Sequence, residues 1–529
     1  MKMKKFTLKT GFILGIISVS MISCKDALNL QPLNDVTSAV VYKTPAGYKQ
    51  ALAKVYASFA LTGNAGPVGQ ADIVGLDEGG NADYLRTFWK AQELSTDEAV
   101  IAWGDAGIQD FHQMNWTPDN PFLRGLYFRS LYQITLTNEF LRESTDAKLA
   151  ERGISDADAE NIRSNRAEVR FLRAYQYWSL MDLFGNPPFV TENDALGGPL
   201  PKQIGKAALF SYIESELKTI ETILPANRSA QYYGRVSKGA VQALLARLYL
   251  NAQIYTGTAK NNEAVDFSKR VIDGGYTLEN NYRKLFSTDN TFNPEFIMTI
   301  NYDGLKSQVF GGTTFLTHAA IGGNMQAGDS GVDFGWGGLR TTKGLVNLFP
   351  NPANSPDKRA IFYTNGQNLE ITSLTTFTDG YSVPKFINKS STGTAGSNIT
   401  FVDSDFALFR LPEMYLIYAE ATLRGGNGNA GTALSYINNL RTRAYGNASG
   451  AVASLNLDLI LDERGRELYW EGHRRTDLVR YGRFTTSTYL WPWKGNVAAG
   501  RAVPDFRNVY PLPAADVTAN PNLIQNTGY

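Results

Sequence analysis

The chain has almost no cysteine: Cys24 is the only one in 529 residues. A single thiol forms no intrachain disulfide and no thiolate metal cluster, so the fold must be held by packing. Histidine is nearly as scarce. His112, His318 and His473 are the three present, and no two of them stand at metal-ligand spacing. Charge of one sign is missing too, since 51 Lys and Arg face 50 Asp and Glu for a net +1. That balance excludes the concentrated basic patches that draw nucleic acid or anionic lipid. The apolar run from Gly11 to Val19 is shorter than the about 20 residues a spanning helix needs. There is no phosphate loop of the Walker type.

What is present begins with Lys2, Lys4 and Lys5, the Gly11 to Val19 run, and Ser23 directly before Cys24. This order reads as a secretory signal over residues 1–23 ending in a lipobox. Cleavage before Cys24 makes it the new N-terminus, with its thiol used by a thioether lipid, and no nucleophilic cysteine then remains. A buried structural cysteine is the alternative. Residues 24–44, polar and irregular from Gln31 onward, read as a tether. The remainder, 45–529, is expected to be one domain. Hydrophobic residues make up 43%, enough for a large core. With 27 Tyr, 28 Phe and 8 Trp beside near-zero net charge, the expected ligand is neutral and recognised by flat rings, which points first to sugars.

Helical periodicity dominates. Val241, Leu244, Leu245, Leu248 and Ala252 recur at the spacing of one helix face, as do Met414, Ile417, Tyr418 and Ala421, and Leu457, Ile460, Leu461 and Leu468. Between Val169 and Leu183 apolar residues run almost all the way round, so that helix is expected to be buried between others. Pro412 to Arg424 followed by Gly431 to Arg443 reads as a helical hairpin of tetratricopeptide size. Two stretches break the pattern. Residues 63–120 are loop-rich, and residues 277–400 are dense in Gly, Asn, Ser and Thr with short β-like runs such as Phe296 to Ile300. The fold class is therefore mainly α: a tetratricopeptide-like hairpin scaffold carrying two long, irregular, partly β excursions, on which function is expected to sit.

Several motifs imitate chemistry. Gly426-Asn427-Gly428-Asn429-Ala430-Gly431 matches the dinucleotide fingerprint, but a helix precedes it where that motif needs a strand, so it reads as a turn. Gly328-Asp329-Ser330-Gly331 resembles a serine-protease loop without a recognisable base. No carboxylate pair is singled out as a glycosidase dyad. The stretch from Asp77 to Trp116 is more suggestive: Asp83, Tyr84, Arg86, Trp89, Trp103, Asp105 and Trp116 mix ring faces with forked polar groups, the combination a pyranose requires.

Phe171-Leu172-Arg173-Ala174-Tyr175, Asp182-Leu183-Phe184-Gly185, Arg410-Leu411-Pro412-Glu413, Glu463-Arg464 and Glu471-Gly472-His473-Arg474-Arg475 together resemble the SusD-like (SusD/RagB) family of outer-membrane glycan-binding lipoproteins. Tyr510-Pro511-Leu512-Pro513 and Asn520-Pro521-Asn522-Leu523 fit as well. The resemblance runs from Cys24 to Tyr529 and implies a fold of four tetratricopeptide-like hairpins. It assigns the Arg474, Arg475 and Asp477 cluster to packing and ion pairing. A closer likeness to the starch-binding branch shows in Asp77-Glu78-Gly79, Glu93 to Trp103, Gly335-Trp336 and Tyr489 to Gly495. It implies an aromatic arc of Trp103, Phe310 and Trp336, with Asp77 and Arg86 bonding glucose hydroxyls. That pattern has tyrosine where Phe310 stands and asparagine where Ala106 stands, so the glycan is left open; Asp105 is the candidate substitute.

The function implied is surface binding of starch-like α-glucan or maltooligosaccharide, without turnover, and delivery to a SusC-like TonB-dependent transporter. The protein would be lipid-anchored in the outer membrane and face the exterior. A different polysaccharide, a glycoside hydrolase and a protein-binding helical scaffold are the rival readings. No cofactor is implied; calcium held by loop carboxylates stays open, with no motif behind it. Three aromatics covering roughly 200 Å² gain on the order of 5 kcal/mol before ordering costs. Affinity should then be roughly micromolar to millimolar, working through avidity along a polymer.

Overall fold

The computed structural model describes residues 38–68, 71–76, 82–226 and 232–529. The signal segment, Cys24, most of the tether and Asp77 lie outside the described residues. Helices of seven residues or more are α1 Pro45–Ala57, α2 Tyr84–Glu93, α3 Pro121–Glu143, α4 Asp156–Phe184, α5 Lys206–Glu221 and α6 Lys238–Leu250. They continue as α7 Asn261–Ile272, α8 Gly312–Ala319, α9 Leu411–Leu423, α10 Ala430–Tyr445, α11 Leu457–Leu468 and α12 Arg474–Arg480. Helix α3 packs on α4, α4 on α5, α6 on α7, α7 on α9, and α9 on both α10 and α11. This is the tetratricopeptide-like stack that the periodicity called for.

The stripe residues carry it. Val241, Leu244, Leu245, Leu248 and Ala252 are all solvent-free, and so are Met414, Ile417 and Ala421. Each buried Leu or Ile contributes about 1.5–3 kcal/mol by leaving water. Helix α4 is buried on every side from Phe171 to Phe184, as its all-round apolar sequence requires. The glycine-rich motif is the turn between α9 and α10, with Asn429 capping α10 through Thr432 N. Among the described residues no helix is long and apolar enough to cross a membrane.

Among the described residues there are four short strands: β1 Val100–Ile101, β2 Phe296–Ile300, β3 Leu339–Arg340 and β4 Phe406–Arg410. β2 pairs antiparallel with β4, Phe296 opposite Arg410 and Ile300 opposite Phe406. The Arg410-Leu411-Pro412-Glu413 motif is then a strand-to-helix junction, with Pro412 in the first turn of α9 where its missing N–H costs nothing. Both excursions differ from their expected character in carrying helices, α2 and α8. Helix α2 escaped notice because Arg86, Lys90, Gln92 and Glu93 punctuate it, yet all ten of its residues are buried.

The charged hallmarks form a dry ionic frame. Arg410 pairs with Glu295 at 2.9 Å, Glu467 at 2.5 Å and Glu471 at 2.6 Å. Arg359 pairs with Asp357 and Glu463 at 2.7 Å and with Glu467 at 3.0 Å. Glu413 takes both arms of Arg247 from α6 at 2.7 Å. Arg474 meets Asp97 at 2.7 Å, and Asp477 holds Arg464 and Arg480 at 2.6 and 2.8 Å. The Arg474, Arg475 and Asp477 cluster is thus packing and pairing, as expected.

Candidate functional site

The two excursions meet in one place. β1 pairs antiparallel with β3, Val100 opposite Arg340 and Ile101 opposite Leu339, and Ala102 N continues the ladder to Gly338 O at 2.9 Å. Asp97 secures this junction: its carboxylate binds Arg474, and its carbonyl accepts Thr342 Oγ1 at 2.5 Å. The pairing delivers Trp103 to Trp336, with ring centroids 6.3 Å apart and planes tilted by 42°. Trp103 Nε1 donates to Trp336 O at 3.0 Å. Glycine is required between them, because a Cβ at Gly338 would lie 2.6 Å from Trp103 Cε2.

Trp336 is braced from behind. Its N–H donates to His318 O at 2.8 Å, and Gly338 N donates to Ala319 O at 2.9 Å, which lays this segment along the end of α8. The fully buried His318 ring stacks on Trp336 at 4.8 Å and 24°. Its nitrogens face Phe334 O at 2.7 Å and Thr400 O at 2.8 Å. Nothing in the sequence marked His318 for this role.

Phe310 joins through Asp83. The Asp83 carboxylate caps α2 by accepting Arg86 N at 2.6 Å and reaches across to Gly312 N at 3.1 Å. Burial pushes this carboxyl's pKa up. Gly312 starts α8 at φ +55°, with no room for a Cβ against Tyr302. The Phe310 ring then sits 6.2 Å from Trp336 at 58°, and 5.3 Å from Phe401.

Arg86 lies behind the three rings. Its Nη1 donates to Phe310 O at 2.9 Å, and its Cζ is 4.6 Å from the Phe315 ring, 5.4 Å from Trp103 and 5.9 Å from Trp336. At 8% exposure the guanidinium is mainly a brace with cation–π contacts. Asp105 is exposed two residues past Trp103, and Ala106 beside it is exposed as well.

Trp103, Trp336 and Phe310 are half-buried, whereas Tyr84, Trp89 and Trp116 are solvent-free. The latter belong to the core: Trp89 Nε1 donates to Trp470 O at 2.9 Å and Trp116 Nε1 to Tyr529 Oη at 2.6 Å. The histidines noted in the sequence are built into the core. His112 is clamped between Leu94 O and Pro492 O, and burial pulls its pKa down to about 4. Burial and the nearby arginines hold His473 well below an ordinary imidazole. The buried Glu93 and Glu98 carboxyls have raised pKa values, but Glu93 accepts Gly472 N and His473 N inside the frame and offers no substrate face. Among the described residues no three His, Cys, Asp or Glu converge as a metal site.

Residues 351–529 match the SusD family, and residues 73–250 match the family described as "Starch-binding associating with outer membrane". The starch-binding protein SusD of Bacteroides thetaiotaomicron is 34% identical, with 98% of each chain covered. The chain belongs to the SusD family. SusD-like protein P25 of Formosa agariphila is 23% identical over 96% of this chain and 97% of its own. Among solved structures, a laminarin-binding SusD-like protein shares the fold at a TM-score of 0.69 and 22% identity, covering 92% of this chain and 100% of its own. A surface glycan-binding protein A from Bacteroides thetaiotaomicron, in complex with laminarihexaose, does so at 0.69 and 21%, covering 91% and 99%. SusD-family proteins bind glycan and are not catalysts, so this one is read as a binding protein.

Proposed function

We propose that this SusD-family protein captures starch-like α-glucan or maltooligosaccharide on Trp103, Trp336 and Phe310 and passes it to a SusC-like TonB-dependent transporter. A lipid on Cys24 would hold it in the outer membrane, facing outward. The observation that carries the reading is the arc itself: three half-buried rings, braced from behind, tilted by 42° and 58° between neighbours. The three ring planes are not parallel and form no single flat platform, which suits a curved chain better than a flat ribbon. Apolar C–H faces of the sugar would lie on the rings, Asp105 and Asp77 would take its hydroxyls, and Arg86, expected to bond a hydroxyl, would instead brace the rings from behind. The 34% identity to a starch-binding relative favours α-glucan over other curved glycans. Phe310 and Ala106 bring no polar group, and on that ground a different neutral glycan is the second reading.

Calorimetric titration with maltoheptaose and laminarihexaose, on the protein and on Trp103→Ala and Trp336→Ala variants, tests this. The expected result is micromolar to millimolar maltoheptaose binding that both substitutions abolish. Binding of maltoheptaose that survives both substitutions removes the arc assignment, and selective laminarihexaose binding removes the starch assignment. Transporter partnership is tested separately, by co-purification from outer membranes with and without the lipidated Cys24.

A further inference from the structure

The apolar wall does not stop at Trp336. Phe334, two residues earlier, is 55% exposed, although phenylalanine is normally inside. It is not a loose side chain: its ring sits 5.8 Å from His318 at 67°, on the imidazole that stacks beneath Trp336. Its carbonyl faces His318 Nδ1 at 2.7 Å. One imidazole therefore sets the positions of both rings. Ile399, 62% exposed, lies alongside, because Asp333 N donates to Ile399 O at 3.1 Å.

A polar group stands at the same place. The Asp333 side chain is 28% exposed; its Oδ1 accepts Phe334 N at 2.9 Å and its Oδ2 accepts Thr400 Oγ1 at 2.6 Å. Each carboxylate oxygen has a second lone pair, and the exposed part of the group can accept from a hydroxyl. A flat ring beside a carboxylate resembles Trp103 with the exposed Asp105 two residues on.

From this we infer that Phe334, with Ile399 and Asp333, forms an outlying subsite that receives a further sugar ring of the chain already lying on Trp336. The inference rests on the arc being the glycan platform, and it adds a consequence: the protein discriminates by chain length. A short oligosaccharide occupies Trp103, Trp336 and Phe310 alone, while a longer one also covers Phe334.

The test titrates the protein with two lengths in each of two series, maltotriose and maltoheptaose, then laminaritriose and laminarihexaose. Phe334→Ala, Phe334→Tyr and Trp336→Ala are compared with the parent. In whichever series binds, Phe334→Ala is expected to weaken the longer sugar about tenfold, equivalent to about 1.4 kcal/mol. The trisaccharide should stay within about twofold, and Phe334→Tyr, which keeps the ring, should retain the preference. If Phe334→Ala leaves the longer sugar unchanged while Trp336→Ala abolishes binding, the arc stands and the outlying subsite falls. An equal loss for both lengths also overturns it, because Phe334 would then act within the arc. If Trp336→Ala changes neither length, or no sugar binds a folded protein, the arc reading falls and takes this inference with it.

Discussion

The ionic frame and the aromatic arc are both built from large side chains that the sequence places far apart, yet they are satisfied in opposite ways. In the frame Arg410, Arg359 and Arg474 each meet carboxylates on several sides and are sealed from solvent. In the arc Trp103, Trp336 and Phe310 are held on one side by Arg86, His318 and Phe315 and left partly open on the other. A group whose interactions are complete stabilises the fold, and a group with an unused face can bind. The family's charged hallmarks lie in the first class and the residues proposed to face the glycan in the second, a few residues apart along the chain from Asp97 to Trp103.

Perturbing each region should separate stability from binding. The largest effect is expected from Arg410→Met, which leaves Glu467, Glu471 and Glu295 partly uncompensated in a dry site. A loss of about 3–5 kcal/mol in urea unfolding is expected, with unchanged sugar affinity per folded molecule. Gly338→Val comes next, since a branched side chain would collide with the Trp103 ring. It should cost about 1–3 kcal/mol and abolish binding in calorimetry, which would tie the two regions together through the β1–β3 junction.

The acid-linked behaviour of the frame is a smaller effect. Burial pushes the Glu93 carboxyl up to about 7 and raises Glu98 as well, and Asp405 is pushed up to about 6. The folded protein therefore holds protons that the unfolded chain releases from about pH 4 upward. These three carboxyls then contribute most at the low end of that window and lose their contribution as pH rises through about 7, while the depressed His112 and His473 oppose them below about 6.5. Melting temperatures between pH 5 and 8 should show this slope, and Glu98→Gln should flatten it. Least of all, Lys343→Ala breaks the exposed pair with Glu370 and should shift stability by no more than about 0.5 kcal/mol, with no change in affinity.

Much of this was legible beforehand. The stripes on α6 and α9 and the all-round apolar α4 became solvent-free helices because a 3.6-residue period is local and survives in the sequence. The Arg474 and Asp477 cluster could be assigned to pairing because buried charges need partners. Helix α2 was not legible, since its polar residues hide a helix that tertiary contacts bury. Residue pattern alone could not sort the tryptophans, since Trp89 and Trp103 stand in similar company and only the first is enclosed; the family resemblance is what singled out Trp103 and Trp336.

By itself, then, the sequence determined the helical scaffold, the near-zero net charge and the family. Tertiary structure alone decided which aromatics keep an open face. That decision comes from a two-residue strand pairing between segments more than two hundred positions apart, and from His318 arriving beneath Trp336. Contacts of that range leave no periodic trace in the chain, because the register between distant segments is set by the packed whole and not by either segment's own pattern.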